Sequence, residues 1–126
     1  SDPEGMAVAA EIAEAGGDAV YVHLDVTNEA EWDAAVQVAV SSFGKLDVLV
    51  NNAGLGGTSP IVDMTDDSWH RVLDVTLTST FRCTREALRL MMPRGQGAIV
   101  NNARVLGLCR ARGRRRLVLR MHIHTG

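Results

Sequence analysis

The sequence is short of several things. It has one tyrosine, Tyr21, and one lysine, Lys45, so phenol and amine chemistry have one group each. Two cysteines, Cys83 and Cys109, lie too far apart for a metal-type spacing and make no disulfide framework, so a reduced, cytoplasmic setting is expected. No apolar run is long enough to span a bilayer, and no signal-peptide pattern opens the chain. Aromatic residues make up 4% of the composition, too few to interleave with basic residues as a nucleic-acid stacking surface. Residue 1 is Ser rather than Met, which suggests a natural start further upstream.

Acid is missing from one part of the chain. All 15 acidic residues fall within residues 1–103, against 6 basic ones, while residues 104–126 hold seven arginines and no acid. So sharp a split marks a change of segment. Two parts are expected: residues 1–103, and an Arg-rich tail over 104–126 that is either frameshifted or disordered. From about residue 108 the periodicity is lost, as a shifted reading frame in a GC-rich gene would produce. Arg110 to Arg116 is a charge run, and Leu117-Val118-Leu119 has strand character without an obvious partner.

What remains is regular. Asp2 to Glu4 can open a helix over 6–15, which Gly16-Gly17 ends. Ala19 to Leu24 reads as a strand with Val20, Val22 and Leu24 on one face. Asn28 with Glu31 makes an N-cap pair for a helix whose inward stripe is Trp32, Ala35, Val36, Ala39, Val40 and Phe43. Gly44 closes it. Leu46 to Val50 then reads as a strand buried on both faces, ending at Asn51-Asn52-Ala53-Gly54. After a loop over 55–60, Thr65-Asp66-Asp67 starts a helix reaching about Met92. Its expected inward stripe is Trp69, Val72, Leu73, Leu77, Phe81, Thr84 and Leu88, with Thr76 and Thr80 on the same side. Ala98 to Asn102 is a further short strand. The order α-β-α-β-α-β predicts an α/β fold with a parallel sheet and helical crossovers. Ligands of such sheets bind beyond the carboxyl ends of the strands, where Asp25 and Asn51–Gly54 fall.

Asn51-Asn52-Ala53-Gly54 after a buried strand, and Asp25-Val26-Thr27 ending the strand before it, resemble the short-chain dehydrogenase/reductase family. The likeness extends through Gly44-Lys45-Leu46-Asp47-Val48-Leu49-Val50, the Trp69 helix and Gly97-Ala98-Ile99-Val100-Asn101, covering about residues 2–103. It implies a partial Rossmann-type, doubly wound sheet lacking the first two strands. The activity implied is hydride transfer between NAD or NADP and a carbonyl or alcohol of a small molecule. Asp25 would accept a hydrogen bond from the adenine amino group, the Val26 backbone would contact the ring, and Asn51, Asn52, Ala53 and Gly54 would line the adenosine side of the cleft.

The family's glycine-rich phosphate loop is not in this sequence, nor is the residue that chooses between NAD and NADP. Thr76 stands at the position of the family's helical Asn, where its hydroxyl can fold back onto the Val72 carbonyl. Arg104 stands at the position of the Ser, and no Tyr-x-x-x-Lys occurs. The expectation is therefore a fragment with no catalytic residues of its own, inactive as it stands and without the family's usual oligomer. With the first two strands absent, only the strands at 46–51 and 98–102 should remain adjacent in the family's order, and in the isolated chain 19–24 is expected to slide in and pair directly with 46–51, giving a compact three-strand sheet. The rival reading is a non-enzymatic protein whose arginines bind nucleic acid or another polyanion. His122 and His124, two apart with no third ligand, make no metal site, and Gly54, Gly56 and Gly57 make no P-loop.

Overall fold

The computed structural model describes residues 1–55, 60–104 and 116–121, with side chains up to residue 103. It divides into two compact units, Ser1–Gly44 and Lys45–Gly126.

The first unit holds two helices. Helix α1 spans Asp2–Glu14, four residues earlier at its start than expected, because Pro3 suits a first helical turn and Asp2 and Glu4 complement its positive end. Helix α2 spans Glu29–Phe43. The Asn28 side chain accepts from the amides of Ala30 and Glu31, and Gly44 closes the helix in the left-handed region at φ 83°. Trp32 is its buried residue, and Phe43, expected inward, is 49% exposed. The indole N–H of Trp32 has no hydrogen-bond partner among the described residues.

The strand expected over 19–24 does not form. Residues 18–25 are irregular and belong to no described sheet, so the expected pairing of 19–24 with 46–51 is corrected: the described partner of that strand is 98–101. A strand exists by its ladder of hydrogen bonds to a neighbour. This segment has none, and its polar side chains bond to α1 instead: Tyr21 and His23 both reach Asp2.

The second unit is built on strand β1 (Val48–Asn51) and strand β2 (Ala98–Arg104). They pair in parallel with Val48 opposite Ala98 and Asn51 opposite Asn101, as the αβ alternation predicts. The connection is helical: α3 (Asp66–Leu73), a π-helical turn (Asp74–Thr78) and α4 (Ser79–Met91). Strand β3 (Arg116–Met121) pairs antiparallel with β2, so the sheet order is β1-β2-β3. Leu117 to Leu119 thus has a partner that the sequence did not reveal. Residues 56–59, and 105–115 and 122–126 of the Arg-rich tail, lie outside the described residues.

The core of this unit is the layer between α4 and the sheet. Cys83, Ala87, Met91, Leu49 and Ile99 are buried there. The stripe expected to face inward is corrected in part: Val72, Leu73, Thr76, Thr80, Thr84 and Leu88 are half-buried, but Trp69, Leu77 and Phe81 are 50%, 63% and 61% exposed. The buried line runs instead through Ser79, Cys83, Ala87 and Met91, spaced by four. A π turn carries one extra residue, which rotates all that follows about 100° around the axis. No single helical stripe can therefore hold from 69 to 88. Small residues on the inner face let the helix approach the strands closely.

Strand β1 is also covered on one face only. Leu49 is buried, whereas Val48 and Val50 are 52% and 56% exposed, against the expectation of burial on both faces. Where α4 ends, Arg94 ties the crossover to the start of β1. Its guanidinium donates to the Leu46 carbonyl at 3.1 Å and to Asp47 at 2.8 Å. That contact, with Lys45 beside it, holds the Asp47 carboxyl below its ordinary value.

Candidate functional site

At the carboxyl end of the parallel pair lie two asparagine pairs, Asn51-Asn52 at the end of β1 and Asn101-Asn102 in β2. The Asn51 side-chain amide donates to Asn101 Oδ1 at 2.8 Å and to Thr84 Oγ1 at 3.1 Å. One residue on, Asn102 donates from its amide to Asn52 Oδ1 at 2.5 Å. This double rung ties β1, β2 and α4 together where the chain leaves the sheet. Asn51 and Asn101 are half-buried, and Asn52, Ala53 and Gly54 are exposed. Asn101, Asn102 and Thr84 were not singled out from the sequence. A signal existed: the Asn-Asn pair at 51–52 repeats at 101–102, at matching positions of two strands already expected to be adjacent.

Gly54 lies against the π turn. A Cβ built on it would meet Thr76 Cγ2 at 3.6 Å, an ordinary contact. The protein itself therefore leaves room for a side chain there. The Thr76 hydroxyl bonds the Val72 carbonyl at 2.5 Å, the turn-back its position suggested. Ser79 and Thr80 repeat the pattern, onto Val75 at 2.6 Å and Thr76 at 3.0 Å. Three hydroxyls thus serve carbonyls around the widened turn, and Thr76 has its proton committed to its own helix.

Asp25 and Val26 belong to the first unit. Asp25 is exposed, and its Oδ1 accepts from both the amide and the hydroxyl of Thr27, at 2.9 and 2.7 Å. This is a side-chain turn leading into the Asn28 cap. The Asp25 amide donates to Glu31 Oε2 at 2.6 Å. Val26 is half-buried. Of the sequence-predicted residues, Asn51 to Gly54 are thus grouped in one unit and Asp25 with Val26 in the other. Arg104 ends β2, and its side chain lies outside the described ones.

Among the described residues, no group of three or more His, Cys, Asp or Glu is placed to hold a metal ion. None of the described helices is long and apolar enough to cross a membrane. Cys83 is a buried thiol whose pKa burial pushes up, a structural rather than a reactive environment.

A parallel strand pair joined by a helical crossover, with polar groups and glycine gathered at the strands' carboxyl ends, belongs to the α/β, Rossmann-like class of folds. The sequence profile described as short chain dehydrogenase matches residues 1–114, so the chain belongs to the short-chain dehydrogenase family. The match runs past residue 103, where the motif-based likeness stopped. A curated relative from Mycobacterium tuberculosis, (5R,7aS)-5-hydroxy-7a-methyl-1-oxo-2,3,5,6,7,7a-hexahydro-1H-indene-carboxyl-CoA reductase, is 57% identical over 102 residues. That alignment takes in 79% of this chain and 38% of the relative. The 3-alpha-(or 20-beta)-hydroxysteroid dehydrogenase of Mycobacterium bovis is 50% identical over 107 residues, 85% of this chain and 40% of that protein. Among solved structures, a short chain dehydrogenase from Mycobacterium smegmatis superposes with a TM-score of 0.76 at 49% identity. It covers 86% of this chain and 46% of the other. The chain thus spans about two-fifths of the length of these curated relatives.

Proposed function

We propose that the chain is a segment of an NAD(P)-dependent short-chain oxidoreductase, an enzyme class that moves hydride between a nicotinamide and a carbonyl or alcohol. The segment carries residues of the adenosine side of the cofactor site and no catalytic set. The observation that carries this reading is the asparagine double rung at the carboxyl end of the parallel pair, with Gly54 beside it.

The residues present fit one part of the cofactor. Gly54 leaves a gap that a Cβ would fill, and Asn51, Asn52 and Ala53 precede it at the strand end, suited to lining the adenosine. Asp25 is an exposed carboxylate suited to accept from an adenine amine, with the Val26 backbone next to it. At the N-termini of α1, α2 and α3, the pyrophosphate finds no such fit among the described residues. Phosphates bind at helix N-termini with free amides. The start of α2 is occupied by the Asn28 side chain, with Glu29 and Glu31 in its first turn. That of α3 is occupied by Thr65, with Asp66 and Asp67 following. The first turn of α1 holds Asp2 and Glu4. Each would repel a dianion. No step of hydride transfer is therefore assigned to this chain.

The relatives' names point to a fused-ring or steroid alcohol as the substrate class of the whole enzyme. A cytoplasmic setting, a small-molecule partner and loss of the usual oligomer belong to the same proposal. So does the division into a family segment over 1–103 and an Arg-rich tail over 104–126, of which the family profile still reaches residues 104–114. A turnover assay tests it: nicotinamide absorbance is followed with a hydroxysteroid and NAD or NADP. No turnover above the buffer rate is expected. Sustained turnover by the purified chain would overturn the assignment of inactivity. Filter binding of oligonucleotides at low and moderate salt tests the polyanion alternative, which predicts retention at low salt and loss at moderate salt.

A further inference from the structure

The first unit contains a cluster that the proposed function does not use. His23 lies in the irregular segment between α1 and α2, flanked by a carboxylate at each ring nitrogen. Its Nδ1 is 2.8 Å from Asp2 Oδ1, in the first turn of α1. Its Nε2 is 3.8 Å from Glu31 Oε2, in the first turn of α2. Tyr21, on the same segment, gives its hydroxyl to the same Asp2 oxygen. Glu31 in turn accepts from the Asp25 backbone amide through Oε2 at 2.6 Å and from the Asn28 side-chain Nδ2 through Oε1 at 2.9 Å. The terminal ammonium of Ser1 is engaged by Glu4 at 3.0 Å.

A neutral imidazole has one donor and one acceptor, and only the imidazolium donates from both nitrogens. Two carboxylates, one at each nitrogen, are therefore matched only by the protonated ring. We propose that His23 is a pH-operated clasp that fastens the segment over 18–25 to α1 and α2 together when protonated, and releases α2 when neutral. The side released follows from the geometry. The Asp2 contact is the shorter one and is shared with Tyr21, so the neutral ring keeps its proton on Nδ1. Nε2 then turns a lone pair toward Glu31, and that contact becomes repulsive.

The groups facing His23 are Asp2 from α1, Glu31 from α2, and Tyr21 and Asp25 from its own segment. The hydrogen bond to Asp2, then the charges of Asp2, Glu31 and Asp25, raise the His23 pKa above its ordinary value of 6.5. A raised folded-state pKa means that the contribution is fully present below about pH 6.5 and is lost as pH rises through the folded value. The clasp is thus closed in mild acid and open in mild base. It rests on first-unit geometry alone.

The test uses the full chain. His23 is titrated by ring-proton NMR, while the exchange of the Asp25 amide, which bonds to Glu31, is followed from about pH 6 to 8 with intrinsic rates removed. His23 is expected to titrate above 6.5. Asp25 protection is expected to fall by about threefold over the same interval. His23→Gln should abolish that fall while leaving helix content unchanged, and Glu31→Gln should bring the His23 titration back toward its ordinary value. Should Glu31→Gln unfold α2, His23→Gln carries the test alone. A His23 titration at or below its ordinary value, protection that does not change with pH, or the same change in His23→Gln would each overturn the proposal.

Discussion

Replacing Asn51 by Ala removes one side-chain amide that serves two elements. One N–H goes to Asn101 Oδ1 at 2.8 Å and the other to Thr84 Oγ1 at 3.1 Å. The two acceptors do not suffer equally. Thr84 is helical, and its hydroxyl can turn back to a carbonyl of its own helix, as Thr76, Ser79 and Thr80 already do. Asn101 Oδ1 is anchored on β2 and has no comparable recourse. An orphaned buried acceptor costs about 1–3 kcal/mol. Because Asn51 and Asn101 are half-buried, the lower part of that range applies, about 1–2 kcal/mol. Asn101→Ala should cost a similar amount by orphaning the Asn51 amide. The double variant leaves no orphan between them and should cost about 1 kcal/mol less than the sum of the two. Urea unfolding followed by tryptophan fluorescence, with the slope held common, measures all four corners of the cycle. Additivity within about 0.3 kcal/mol would refute the claim that these amides act as a coupled rung.

Further outcomes follow from the helix and strand contacts. A methyl on Gly97 would lie 2.4 Å from Met91 Sδ and 2.8 Å from its Cβ, which is fixed to α4. Gly97→Ala should therefore cost about 1–3 kcal/mol by overpacking, with only part recovered in a Met91→Ala background, both read by urea unfolding. Ile99 is 3% exposed between β2 and α4, and Ile99→Ala should cost about 2–5 kcal/mol against about 0.5–1.5 for Ile99→Val. Equal costs would show that the site is not packed. The lowered carboxyl pKa values of Asp47, from Arg94 and then Lys45, and of Glu86, from Arg85 and then Arg89, set the acid limb. Each contribution is present above the ordinary values of 3.8 and 4.5 and fades as pH falls below them, so the urea midpoint should drop in that window. Arg94→Gln should remove part of the drop. In a Cys109→Ser background, Cys83 should react with a thiol reagent only once urea unfolds the chain.

The sequence showed some of this plainly and some of it hardly at all. The Asn28 cap, the Gly44 stop and the Thr65 start were legible because capping is local chemistry, readable within four residues. The parallel pairing of 46–51 with 98–102 was legible from the αβ alternation. The strand at 19–24 failed for the opposite reason: alternation makes a segment able to pair but supplies no partner. Leu117 to Leu119 is the converse case, since β2 offers it an edge that no local pattern announces. The face of the long helix was misread because a π turn has no strong sequence mark and shifts the phase of all that follows. At the candidate site, Asn51 to Gly54 stand out by their likeness to a family motif. Their hydrogen-bond partners on β2 and α4 depend on strand register, which no single stretch contains.

The proposed function makes Asp25 and Asn51 to Gly54 adenosine-side residues of a dinucleotide-binding family and finds no place for the pyrophosphate at the described helix starts. Titration of the purified chain with NADH and NADPH, watched through Trp32 and Trp69, tests it most directly. No saturable change is expected up to about millimolar cofactor, the level at which binding is worth about 4 kcal/mol. A saturable change well below that concentration, abolished by Asp25→Ala, would contradict it.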